Sequence, residues 1–348
     1  MIAVRAPGLA DVDAWARSSG VAPEQALAEL GIDDGLPVAP VARAAVEQAL
    51  AAARLAPGDV VATLPPLLKP ATAEALAVCS LLAGCEPAHL PVVAAAIKGV
   101  AAPEFNGIGV LTTTGSAAIA TIVNGPVASA FNGGANLLGP GNRANASVGR
   151  AIALATQAIG GSSPGLTDMA TMGQPGKYTF CFAEDEANSP WEPLHVARGV
   201  PAGTSAVTVF GAAGTVEVAN PHAASADAIL DSLAAAMFLP GSLDFDRHVV
   251  AGGRCVLILS LDWARVLAGE GHDRSTVCRE LATRAAWSVS SLPPGLSRAL
   301  GTSADGDAVI KAVEDPSDIL LVVGGGTGAK QALIPAWPAP TIPQTVVV

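Results

Sequence analysis

The chain has 348 residues, of which 51% are hydrophobic and 14% charged, and its formal net charge is −11. An acidic chain without a Lys/Arg cluster is a poor nucleic-acid binder, because that affinity rests mainly on phosphate neutralisation. No apolar run reaches the roughly 18 residues of a spanning helix, no basic amphipathic stretch suits a membrane surface, and the first 20 residues carry Asp11 and Asp13 without a signal-peptide core, so a cytoplasmic protein away from membranes is expected.

The charged fraction lies well below the roughly 25% of ordinary globular domains. Two readings of this stay open: surface hidden in a homo-oligomer, or a simple Ala-rich bias. The cysteines (Cys79, Cys85, Cys181, Cys255, Cys278) are odd in number and form no CxxC pair, which fits reduced thiols packed as small hydrophobes.

Residues 8–57 read as helices. Pro40 opens one that runs through Val46 and Leu50, and Pro57-Gly58 stops it. A strand is expected at Val60–Leu64. Thr72 then caps a helix ending near Gly84, and Pro87 starts another that Gly99 ends. Residues 107–131 read as strand, turn, then strand or short helix, which periodicity alone does not separate. Ala144, Val148, Ile152, Ala155 and Ile159 share one helical face, closed by Gly160-Gly161.

A strand is expected at 178–182. Further strands are expected at 205–210, 214–218, 254–260 and 318–323, with helices at 224–238, 261–269, 274–287 and 306–313. The alternation predicts an α/β protein: mixed sheets flanked by helices, in two or more subdomains around a central site. The expected division is an N-terminal part (1–100), a central Gly/Asn-rich part bearing the site (101–204) and a C-terminal α/β part (205–348). Residues 291–307 form a boundary or lid.

The densest polar content falls between Glu104 and Gly199, within a background of Gly, Ala, Val and Ile. An unpaired buried polar group costs about 1–3 kcal/mol, so these side chains must bond to one another, to backbone or to a ligand. GPGNRANASVG (139–149) sets a Gly/Pro turn before a helix. It reads either as an anion site built from free N–H groups, the helix dipole and Arg143, or as a tight turn capped by Asn. CFAEDEANSPWEPLH (181–195) places Glu184, Asp185 and Glu186 at a strand exit, with Glu192 and His195 close behind. Adjacent carboxylates push one another's pKa upward, which makes general acids and bases. A solvated acidic loop plugged by Trp191 is the plainer reading, but Pro190, Trp191 and Pro193 stiffen this loop and favour a site.

Glu184, Glu186 and His195, with His222, are also a candidate set for a divalent metal. Cys181 is a weaker candidate nucleophile, since acids rather than cations neighbour it. Lys177 either reaches a ligand anion or covers the acidic loop. GGGTGA (324–329) resembles a dinucleotide fingerprint, yet Pro335 cuts off the helix and no ribose-binding acid follows, so no nucleotide cofactor is expected. Lys330 could still touch a ligand.

The stretches VNGPVASAFNGGANLLGPGNRANASVGRAIAL and GLTDMATMGQPGKYTFCFAEDEANSPWEPLHVARG resemble the large-protein family associated with UGSC (seleno)proteins. The likeness runs from about residue 65 to 199 and more weakly through DPSDILLVVGGGTGAKQALIP. On that resemblance Asn124, Gly141, Arg143, Asn145, Glu184, Glu186, Trp191, Glu192 and His195 occupy motif positions. It also implies a thiol or selenol UGSC-type redox partner, whose own sequence this chain lacks. Asn142 stands where the family has a bulky residue. SLDWA (260–264) and GAKQ (328–331) each lack a histidine of the family pattern, which implies altered chemistry.

The combined expectation is an enzyme of small-molecule metabolism with lyase or hydrolase chemistry on a small polar or anionic metabolite. Glu184, Glu186 and His195 are the expected catalytic groups. Asn124, Asn142, Arg143, Asn145, Lys177, Trp191 and Lys330 are the expected substrate contacts. A metal-dependent enzyme and a non-catalytic subunit of the UGSC-type protein are the alternatives.

Overall fold

A computed structural model describes residues 34–239, 253–295, 309–339 and 341–348. The expected helices before residue 34 and most of the 291–307 segment lie outside the described residues. Helix α1 (Arg43–Ala53) is followed by a hairpin of β1 (Val60–Leu64) and β2 (Lys69–Thr72). Thr72 caps α2 (Ala73–Leu82) by accepting the Ala75 N–H at 3.3 Å, as expected of a hydroxyl before an apolar run. The nearly all-apolar α3 (Leu90–Ala101) comes next, with short α4 (Gly107–Thr112) behind it. Residues 107–112 were expected as a strand and are helical, because Asn106 caps them through the Gly109 N–H.

The remainder forms two four-stranded sheets. The first contains β3 (Ala118–Asn124), β4 (Cys181–Ala183), β5 (Ala206–Ala212) and β12 (Gln344–Val347), in the order β12-β5-β3-β4. Only β3 and β4 are parallel in it. The second contains β6 (Val216–Ala219), β7 (Cys255–Leu259), β10 (Ile319–Val323) and β11 (Lys330–Pro335), in the order β10-β7-β11-β6, with β10 and β7 parallel. A separate small ribbon joins β8 (Ala286–Ser288) to β9 (Val309–Lys311). The helix expected at 306–313 is therefore a strand over 309–311.

Side-chain alternation along each strand sorts the apolar residues into three layers. Ile122, Phe182 and Phe210 of the first sheet meet Val256, Ile258, Leu320 and Ile334 of the second in an inter-sheet core. The opposite face of the first sheet, with Cys181, Val207 and Val209, packs on α1, α2, α3 and the long α5 (Arg143–Ala158). The opposite face of the second sheet, with Leu257 and Leu321, packs on α7 (Ala226–Ala236), α8 (Leu261–Gly269) and α9 (Arg274–Arg284). The architecture is thus helix–sheet–sheet–helix, an α/β fold of mixed sheets. The first sheet is shared between two segments of the sequence, with β3 and β4 from the central one side by side and β5 and β12 from the C-terminal one beside them. No helix among the described residues is long and apolar enough to cross a membrane.

One glycine fixes how closely α5 approaches β4. A Cβ on Gly149 would strike Thr179 Oγ1 and stand 2.7 Å from the Phe180 nitrogen. An exposed helical Gly→Ala change ordinarily stabilises by about 1 kcal/mol. Here Gly149→Ala should instead destabilise by about 1–3 kcal/mol, as overpacking does, with the urea midpoint lowered and the far-UV spectrum of the folded state retained. An unchanged or raised midpoint would show that α5 is free to move off the sheet.

Candidate functional site

Parallel pairing of β3 and β4 brings their C-terminal ends together. Val123 is in register with Ala183, so the next residues, Asn124 and Glu184, emerge side by side at the edge of the inter-sheet core. Both are buried. The chain leaving β4 is held from both sides: the Glu184 N–H donates to the Val123 carbonyl of the first sheet, and the Asp185 N–H to the Val323 carbonyl of the second. Gly133 lies flush against this turn, where a Cβ would come within 2.8 Å of Ala183 O and Asp185 N.

Asn124 links two carboxylates. Its Nδ2 donates to Glu184 Oε2 at 2.7 Å and to Glu186 Oε1 at 2.8 Å. The Gly125 N–H adds a third donor, 2.6 Å from the same Glu186 oxygen. Gly125 has φ 77°, and a Cβ there would run into Thr204 O, so this N–H can be presented only by glycine. Glu184 is tied down further. Its Oε2 accepts the Leu194 N–H at 2.7 Å, and its Oε1 accepts Arg274 Nη2 at 2.8 Å. Arg274, itself buried, also donates to the Glu192 carbonyl and to the Leu321 carbonyl of β10.

His195 lies on α6 (Leu194–Ala197), a single turn that the Pro193 bend begins. It is 1% exposed, and its Nδ1 is 3.7 Å from Glu186 Oε1. Neither ring nitrogen has a hydrogen-bond partner among the described residues, nor does Asn124 Oδ1. Buried polar atoms in native proteins are satisfied by protein, water or ligand, so the partners of these three atoms lie outside the described residues. Glu186 keeps 23% of its side chain accessible and is the open member of the cluster.

The structure therefore unites Asn124, Glu184, Glu186 and His195. Glu184, expected as catalytic, has both oxygens engaged and serves as an internal anchor. The other expected contacts have different roles. Asn142 caps α5 by accepting the Asn145 N–H, the capping of the tight-turn reading. Asn145 ties the 132–137 loop to the helix. Arg143 Nε donates to the Gly84 carbonyl at 3.0 Å. Lys177 is paired with Asp168 at 2.6 Å, and Lys330 with Glu217 at 2.7 Å on the surface. The Trp191 indole donates to the His272 carbonyl and packs against the outer core of the second sheet. GGGTGA leads into β11, and His222 sits in an exposed turn. Among the described residues no group of three or more His, Cys, Asp or Glu side chains is arranged to hold a metal.

Arg274 had no signal in the sequence. It reads as the first residue of an ordinary helix capped by Asp273, 90 positions from its carboxylate partner. No family model, curated protein or solved structure matches the chain.

Burial holds every thiol protonated. Cys79 and Cys85 are pushed up to about 12 and Cys278 to about 11, while Cys181 and Cys255 are raised further. Desolvation leads in each case, and in Cys181 the neighbouring Cys85 adds to it. A nucleophilic Cys181 is thereby disfavoured. The folded state binds these protons more tightly than the unfolded one, so the thiols' contribution to stability is constant below about pH 8 and falls as pH rises past the ordinary thiol value. The slope is about 1.4 kcal/mol per pH unit for each thiol that stays protonated only when folded. Urea titrations at pH 8 and pH 10 should show this loss, and a thiol reagent at pH 8 should react only after unfolding. Fast labelling of native protein would contradict the burial.

Removing Arg274 leaves the Glu184 charge buried without its partner. Arg274→Met should lose about 3–5 kcal/mol, and adding Glu184→Gln should restore part of that loss in the same urea experiment. A double variant no more stable than the single one would show that the two side chains are not energetically coupled.

Proposed function

We propose that this chain is an enzyme of small-molecule metabolism that moves protons with Glu186, in lyase or hydrolase chemistry on a small polar metabolite. The observation that carries the reading is the pair at the open end of the cluster: a partly accessible carboxylate 3.7 Å from a histidine that is 1% exposed and bonded through neither ring nitrogen. Glu186 meets the substrate, and His195 behind it shares or replenishes the proton. Asn124 and the Gly125 N–H hold the active Glu186 oxygen in place, and Arg274 fixes Asn124 indirectly through Glu184. A positioned acid–base group of this kind contributes about 10²–10⁴-fold to a rate.

Of the expected anion-binding cations, Lys177 is paired with Asp168 and Lys330 with Glu217, while Arg143 is turned to the Gly84 carbonyl. This favours a polar, uncharged or weakly charged reacting group over a strongly anionic one. A metal-dependent version of the site would draw on Glu184, which would have to give up Arg274 first.

The test is a turnover screen of the purified chain against pooled small polar metabolites, followed by proton NMR. Glu186→Gln should reduce the rate by at least about a hundredfold with an unchanged melting temperature, and His195→Gln should reduce it as well. Equal turnover by a folded Glu186→Gln variant refutes the acid–base role. Stoichiometric metal together with loss of turnover on chelation would replace it with the metal reading.

A further inference from the structure

The opposite end of β3 carries a second candidate site. A cavity of about 630 Å³ opens beside Ala118 and Ile119, under the 162–178 loop and against α5. Its volume falls within the range of about 300–1,000 Å³ usual for small-molecule pockets. Asn124, in the acid cluster, lies about 20 Å away along the strand at about 3.3 Å per residue, so the two places do not share a ligand group.

The walls are mainly apolar, and every charge on them is neutralised locally. Lys177 Nζ sits 2.9 and 2.6 Å from the two Asp168 oxygens. Asp34 is gripped in the same two-pronged way by Arg150, at 2.7 and 2.8 Å. Three further polar side chains of the wall are also turned toward the protein. The Gln174 amide donates to the Ser116 and Ala212 carbonyls, the Ser162 hydroxyl to the Leu111 carbonyl and the Thr156 hydroxyl to the Ala153 carbonyl. An ion entering this cavity would give up its hydration without gaining a free counter-charge, a transfer that costs far more than moving an apolar body.

We propose that this cavity binds an uncharged, largely apolar small molecule bearing at most one hydroxyl or carbonyl group. The Lys177–Asp168 pair acts as a clasp that holds the covering loop closed rather than as a ligand contact. Thr167 and Gln174 fasten the loop at separate points, Thr167 through the Gly161 carbonyl and Gln174 as above. The exposed Met172 and Tyr178 give the mouth an apolar rim. The inference stands independently of the acid–base reading, since no residue is shared.

The probe is Nile red, an uncharged dye whose emission shifts to the blue in apolar surroundings, titrated into the full chain. Saturable binding at one site per chain is expected, displaced by 1-decanol but not by decanoate or decylammonium at pH 7.5. Ala153→Phe fills the cavity from α5 and Ala170→Trp fills it from the loop. Each should weaken the dye by about tenfold or more, the effect of overfilling a packed site, with the melting temperature retained. Absence of saturable binding overturns the proposal. So does displacement by either ion as effective as that by the alcohol, or an unchanged affinity in a folded filling variant. Should one variant fail to fold, the other decides.

Discussion

The contact between Arg274 and Glu184 carries the rest of the arrangement. Glu184 belongs to the turn that leaves the first sheet, and Arg274 begins a helix packed on the second. The same guanidinium donates to the backbone of β10 and to the acidic loop at Glu192. One side chain thus joins both sheets and the segment that crosses between them. A buried ion pair is weak evidence of net stability, because desolvation offsets most of the attraction. Its effect here is on specificity: neither charge is satisfied unless the sheets stack in this alignment. The alignment in turn sets the direction of Asn124. With one amide hydrogen held by Glu184, the other has a single orientation, and that orientation faces Glu186.

Much of this could be read from the sequence where the physics is local. Thr72 before an apolar run, the face of Ala144, Val148 and Ile152, and the closing Gly160-Gly161 all act within a few residues, and the helices formed where expected. The grouping of Asn124 with the acidic loop was legible for another reason: polar side chains ending apolar strands must find partners, and parallel strands end at the same edge. Partners supplied by distant segments could not be read. Arg274 looks like any helix-opening residue. β11 follows a glycine run that imitates a nucleotide loop, and its place between β6 and β7 depends on pairings no local pattern encodes. At the GPGNR turn, capping by Asn142 and an anion site have the same sequence signature. The side-chain oxygen of Asn142 on the Asn145 N–H shows the cap.

The two ends of β3 differ in one physical respect. At Ala118 and Ile119 charges are matched and the Thr156 and Ser162 hydroxyls and the Gln174 amide donate inward, so what faces the cavity is close to neutral. At Asn124 hydrogen-bonding capacity is left over: two imidazole nitrogens and an amide oxygen, all buried, find no partner among the described residues. Each such atom costs about 1–3 kcal/mol if it stays unmet. Thr121 Oγ1, Ser147 Oγ and His272 Nδ1 are unpartnered among the described residues too; what sets this group apart is that His195 and Asn124 flank one carboxylate, at 3.7 and 2.8 Å from Glu186 Oε1. Groups held in an unfavourable state by surroundings that over-determine them are candidates for function. Here the surroundings are the ion pair at Arg274, the glycine-only approach at Gly125 and the Pro193 bend that begins the turn carrying His195. The unmet groups flank the one carboxylate of the cluster that solvent can reach, which is where the proposed acid–base reading puts the bound molecule.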